Sequence, residues 1–189
     1  YSGAQQNYSV DPDLTAMGKV IGGGFPAGAL AGCNKVMKVL DPTEPKVLLP
    51  HSGTFSANPV TMTAGLIAMR DFDQAAVEKL NALATYARKE ITKVISDVGI
   101  GACVTGAGTM FRVHLKAQPP KNYREAYMDK TEIKLISELL DHLFDNGVML
   151  INTCSATLST KMTKEEVDHL VAALKSGFEM LLPKMTNKG

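Results

Sequence analysis

Near residue 75 the chain changes character, and that change limits what it can fold into. Residues 1–75 are rich in Gly, Pro, Ser and Thr, with only short apolar pieces, so long helices have little room there. Beyond residue 75, apolar residues recur at helical spacing over long stretches, interrupted by short alternating runs. This order predicts an α/β protein: a loop-rich first part, a long helix, then an α+β unit. A length of 189 residues is enough for one good core or two small ones.

The pattern can be read element by element. Ser2 to Asp13 is polar and turn-like. Lys19–Ile21 reads as a short strand, continued by Gly28–Gly32 past a glycine turn. Val36–Leu40 reads as a short helix ended by Asp41-Pro42, and residues 45–59 as loop. Pro59 suits the first turn of a helix carrying Met62, Leu66 and Met69. A second helix places Val77, Leu80, Leu83, Ala84, Ala87, Ile91, Val94, Ile95 and Val98 on one face, and Gly99 and Gly101 stop it.

"TMFRVHL" (109–115) alternates, with Phe111, Val113 and Leu115 inward and Arg112 and His114 on a solvated face. Residues 119–130 form a long connection, a candidate for function or mobility. A helix over 130–145 turns Ile133, Ile136, Leu139, Leu140 and Leu143 inward and ends at Asn146-Gly147. "VMLI" (148–151) and "SATLST" (155–160) read as strands. The last helix opens on a capping box of Thr163 and Glu166. Its core face is Val167, Leu170, Val171, Leu174, Phe178 and Leu181. Residues 100–185 thus read as a compact α+β unit, and no internal repeat is visible.

Composition excludes several functions. The formal net charge of +1 offers no basic field for nucleic acid or an anionic membrane. No apolar run is long enough to span a bilayer, and "YSGAQQNYSV" has no signal-peptide pattern. The abrupt start without Met leads us to expect a fragment of a longer chain. Cys33, Cys103 and Cys154 fit no disulfide or CxxC pattern and read as free thiols of a reducing, cytoplasmic setting. The four histidines have no metal-ligand spacing, so no metal site is expected.

One stretch carries a question of chemistry: "LTAMGKVIGGGFPAGALAG" (14–32) places Lys19 between apolar residues and three glycines. Enclosure by Met17, Val20, Ile21 and Phe25 would favour the neutral amine, which attacks carbonyls to form Schiff bases. Gly22–Gly24 would let a flat ring approach the main chain. A Walker A loop is excluded, since it needs Gly at 13 and Ser or Thr at 20, where the chain has Asp13 and Val20. On local physics alone, a solvated lysine beside a glycine turn is the commoner case.

"PDLTAMGKVIGGGFPAGALAG" (12–32) closely resembles the cofactor-lysine segment of class III, fold-type I, pyridoxal-phosphate aminotransferases, and "HSGTFSANPVTMTAG" (51–65) resembles that family's second signature. The resemblance covers essentially the whole chain. It implies the C-terminal part of the large domain over 1–75, an interdomain helix over 76–98 and a small α+β domain over 99–189. It implies pyridoxal 5'-phosphate bound as a Schiff base to Lys19, with the freed amine later moving the proton. Thr54 would hold the cofactor phosphate from the neighbouring subunit of a homodimer with shared active sites, and Gly53 would keep that loop open. A loop leading into a helix N-terminus is also a good anion site. Asn58-Pro59 would set the turn into the helix. Arg112 is a candidate partner for a substrate carboxylate, weighed against a solvated strand-face arginine.

Within the family, "GTMFRVHL", the long connection and "DNGVMLI" resemble the glutamate-1-semialdehyde aminomutase and β-amino-acid aminotransferase branch. "NTCSATLSTKMTKEE" departs from the aminomutase pattern by lacking its Phe-Glu pair, which favours plain amino transfer. Asn152 and Thr153 stand where the β-amino-acid enzymes often carry arginine. The aspartate that would hold the cofactor's ring nitrogen has no counterpart here, since Asp11 and Asp13 lie too close to Lys19 in the motif. The expected function is amino transfer between an amino acid, β-amino acid or amine and a keto acid or aldehyde. The alternatives are the aminomutase rearrangement and a non-catalytic C-terminal fragment.

Overall fold

A computed structural model describes residues 3–186, and the chain divides into two compact units between Val77 and Glu78. The first unit is built on an antiparallel hairpin of β1 (Leu14–Gly18) and β2 (Gly28–Gly32), in register from Leu14↔Gly32 to Gly18↔Gly28. The expected strand at Lys19–Ile21 is not there. The ladder closes at Gly18, and Lys19–Gly22 forms a 3-10 turn that starts the reversal toward β2. One helical turn, α1 (Ala4–Asn7), forms within the stretch read as polar turn; Ser2 lies outside the described residues. The short helix expected at 36–40 is α2 (Asn34–Met37), running into a 3-10 turn at Lys38–Leu40.

The helix α3 (Pro59–Asp71) begins where proline predicts it. It packs against the Lys19 turn through glycine. A Cβ on Gly65 would run into the Ile21 carbonyl oxygen, and one on Gly23 into the Ala64 carbonyl oxygen. Among the described residues of this unit, the buried ones are two glycines, Gly22 and Gly65. Many of its large apolar side chains, among them Met62, Leu66 and Met69, are exposed, and others such as Ile21, Met37 and Phe72 are only half-buried. This unit is therefore fixed by backbone proximity rather than by an apolar core.

The second unit has such a core. The long helix α4 (Gln74–Val98) buries Leu80, Ala84, Ala87, Ile91, Val94 and Ile95, the face its periodicity predicts. Gly99 follows it at φ +73 and bonds back to the Ile95 carbonyl, as a terminating glycine does. Among the described residues of this unit, β3 (Cys103–Thr105), β4 (Met110–His114) and β5 (Ser155–Thr157) make a three-stranded antiparallel sheet in that order. Between β4 and β5 run the one-turn α5 (Tyr123–Ala126) and α6 (Lys130–Asp145). Asp129 and Glu132 close a capping box on α6. The last helix, α7 (Lys164–Thr186), packs on α6 and buries Val167, Leu170, Leu174, Phe178 and Leu181. Glu166 accepts from the Thr163 N–H at 2.6 Å, so the reach-back half of the predicted box forms.

Three expectations for this unit are corrected. Residues 148–151 are not a strand. The Val148 N–H turns back to the Leu143 carbonyl, and the Cys154 N–H closes on Ile151, leaving β5 to take the edge of β4. Ile133 is 51% exposed, while Leu135 is buried beside Ile136, Leu139 and Leu143, so the α6 core stripe is centred about one position away. His114 is buried at 5% exposure rather than solvated.

The His114 ring meets the Thr105 hydroxyl at 2.9 Å. Burial lowers its pKa to about 4, helped by the nearby Arg112 and Lys116 cations. The folded pKa lies below the unfolded value of about 6.5, so the unfolded chain binds the proton more readily between these two values. Stability should thus be full above about pH 6.5 and fall as pH drops toward 4, by roughly 1–3 kcal/mol. Urea midpoints across that range should slope in the wild type and flatten in His114→Gln; equal slopes would refute the assignment.

Candidate functional site

Lys19 opens the 3-10 turn in a left-handed conformation, φ +58, directly after the extended Gly18. A side chain at such a φ costs about 1–2 kcal/mol, which is why glycine usually takes the position. Here the strain falls on a lysine although Gly22, Gly23 and Gly24 stand nearby. Gly23 (φ +58) and Gly24 (φ +95) are themselves left-handed. Among the described residues, three further non-glycine residues share the conformation, Ser9, Ala57 and Cys154.

Beside Lys19 is a hollow of about 530 Å³ lined by Lys19, Val20, Gly24, Phe25 and Pro26. Lys19 is exposed, as are Met17, Val20 and Phe25. The apolar enclosure expected around the amine is therefore not formed by this unit on its own. It supplies one wall, with an apolar ring, a proline and a bare glycine main chain. The three glycines divide their work in a way the sequence does not reveal. A Cβ on Gly22 would come within 2.9 Å of Ala27 Cβ, and Gly23 makes way for α3. Only Gly24 lines the hollow, with nothing within 4 Å of where its Cβ would be.

Thr54 lies in the turn that leads into α3. The Ser56 N–H bonds the Gly53 carbonyl at 2.9 Å, and a Cβ on Gly53 would lie 2.8 Å from Ser56 Oγ. Gly53, Thr54 and Phe55 are all exposed. The α3 N-terminus is less open to an anion than the sequence implies. Pro59 has no N–H, and Asn58 Oδ1 accepts from Val60 N at 3.0 Å and Thr61 N at 3.3 Å. An anion here would need the loop's own donors rather than the helix N-terminus. Asn58→Ala should destabilise this turn by about 1 kcal/mol, read as a shift in thermal midpoint. An unchanged midpoint would remove Asn58 from its capping role.

The other candidates fall in the second unit. Arg112 is half-buried on β4, not a solvated strand-face residue. Cys154 is fully buried and burial pushes its thiol up to about 12, which leaves it unreactive at neutral pH. Cys33, Cys103 and Cys154 are free thiols. Among the described residues no group of His, Cys, Asp and Glu could hold a metal ion, and no helix is long and apolar enough to cross a membrane. The sequence could not have announced the Lys19 backbone strain or the burial of the Arg112 side chain, because both depend on which neighbours turn toward them.

The chain belongs to the class-III aminotransferase family, whose model matches residues 2–178. It is 33% identical over its whole length to glutamate-1-semialdehyde 2,1-aminomutase 1 of Staphylococcus carnosus, spanning 42% of that protein. Its fold matches an omega-transaminase from Sphaerobacter thermophilus with TM-score 0.92 and 40% identity, over 95% of this chain and 41% of that one. A transaminase solved with PLP bound matches with TM-score 0.85 and 32% identity, over 97% of this chain and 42% of that one. The chain thus spans about two fifths of the length of these relatives.

Proposed function

We propose that the complete polypeptide carrying this chain is a pyridoxal 5'-phosphate-dependent aminotransferase with Lys19 as its cofactor lysine. Residues 1–75 would complete its cofactor-binding domain, residues 76–98 would form the interdomain helix, and residues 99–189 the small domain. The observation that carries this reading is the left-handed Lys19 at the rim of the hollow. Strain is retained where a function needs it, and Lys19 here is exposed beside a wall of Val20, Gly24, Phe25 and Pro26. The residues present fit the cofactor: Gly24 and Phe25 leave room for a flat ring, and the Gly53–Ser56 turn offers Thr54 to a phosphate.

Bound pyridoxal phosphate supplies an electron sink that makes the proton on the substrate's amine-bearing carbon removable. Lys19 Nζ would hold the cofactor, and as a free amine it would carry that proton from one carbon to the other. Thr54 fixes the phosphate end from the partner subunit of a cytoplasmic homodimer, and Gly53 keeps its loop open. Donor and acceptor are an amino acid, a β-amino acid among them, or an amine, and a keto acid or aldehyde. Kinetics should be ping-pong.

Borohydride reduction of the complete, cofactor-loaded polypeptide followed by peptide mass mapping tests the assignment. The adduct is expected on Lys19; an adduct elsewhere, or none, ends this reading. The Staphylococcus carnosus relative favours a second reading, an aminomutase acting within one molecule. Rearrangement of glutamate-1-semialdehyde without an external amino acceptor would establish it, and the absence of the Phe-Glu pair after Ile151 weighs against it.

A further inference from the structure

We propose that the polar face of the β3–β4–β5 sheet is a seat for a carboxylate, held by the Arg112 guanidinium. This goes beyond the Lys19 reading and does not rest on it. Arg112 Nε is fully buried and has no hydrogen-bond partner. An N–H removed from water without an acceptor is costly, and for a charged group more so, so such donors are nearly always matched. Register places Thr105 and Ser155 directly across from Arg112 on the flanking strands, which puts their side chains on its face.

Among the described residues that face carries hydroxyls and cations, and its neighbouring acid, Glu132, is paired with Lys116. The Thr105 hydroxyl is engaged by His114 at 2.9 Å, and the Ser155 hydroxyl by Thr153 at 2.9 Å. Lys116, the next cation, is already paired with Glu132 at 2.7 Å. The depressed pKa of His114, caused by burial first and by Arg112 and Lys116 next, reports the same excess of positive charge. The missing element is a single anion at the Nε edge. Nε–H and its neighbouring Nη–H point in parallel and match the two oxygens of a carboxylate. A phosphate dianion fits less well, because the second cation it would call for is taken by Glu132.

The carboxylate has two sources: an Asp or Glu of the complete polypeptide outside residues 1–189, or a free carboxylate ligand. Crystals of the complete polypeptide, one grown without carboxylate buffers and one soaked in succinate, separate them. An acidic side chain on Arg112 Nε in the first crystal supports the proposal and names the polypeptide as source. Succinate on Nε in the second alone supports the free-ligand source, provided the Arg112 Nε–H resonance titrates saturably in solution. In Arg112→Gln, where that resonance is gone, calorimetric succinate affinity should then fall at least tenfold. Water or a main-chain carbonyl on Nε in both crystals, a guanidinium turned to solvent, or binding at crystal concentration only overturns it. Should Arg112→Gln fail to fold, the wild-type crystals and titration still decide.

Discussion

Lys19→Gly in the complete polypeptide should abolish turnover while leaving the fold as stable as before or slightly more so. The two effects have separate origins. Lys19 sits at φ +58, where a side chain costs about 1–2 kcal/mol and glycine almost nothing. Glycine gives back roughly 0.5–1 kcal/mol through the freer unfolded chain, so the net gain lies between zero and about 1.5 kcal/mol. The amine itself is exposed and makes no contact that the fold depends on. Loss of the group that carries the cofactor and moves the proton should cut turnover by at least about 10²–10⁴-fold. Lys19→Ala should lose as much activity but gain no stability. Steady-state rates with denaturant midpoints read both, and a small free amine should restore part of the rate. Retained turnover in either variant would remove Lys19 from the chemistry. A fall of several kcal/mol in stability would make its role structural instead.

This contrast shows what the sequence makes legible and what it hides. Long periodic stretches are read well because their burial is decided within the element. The inward face of α4 and the start of α3 at Pro59 follow from spacing and from proline's missing N–H. Where burial depends on neighbours, sequence reading fails. His114 alternates like a solvated residue, yet Thr105 and the layers around β4 enclose it. The apolar run at 148–151 has strand composition, but β5 already occupies the β4 edge it would need. Ile133 and Leu135 differ by two positions on one helix, and only the packing of α6 on α7 selects between them. At the candidate site, the glycines after Lys19 announce that backbone must come close to something. They do not say that Gly23 yields to α3 while Gly24 faces the hollow.

The second large effect should come from that glycine contact. Gly65→Val should destabilise the first unit by about 3 kcal/mol or more and release bound cofactor, although residue 65 touches no ligand in our reading. A Cβ at Gly65 would meet the Ile21 carbonyl oxygen, which is backbone and cannot rotate away. The clash can be relieved only by moving α3 or the Lys19 turn, and overpacking of this kind commonly costs about 1–3 kcal/mol for smaller additions. Among the described residues of this unit only Gly22 and Gly65 are buried, so no deformable apolar core is there to absorb the shift. Gly65→Ala should show the same defect at smaller size. Gly101→Ala is the control: its added Cβ would meet only Met185 Cε at 3.9 Å, so a change within about 0.5 kcal/mol is expected. Cofactor retention after dialysis and thermal midpoints should fall together along the series Gly65, Ala, Val. Unaltered retention in Gly65→Val would mean that α3 does not set the position of Lys19, and the candidate site would lose its structural support.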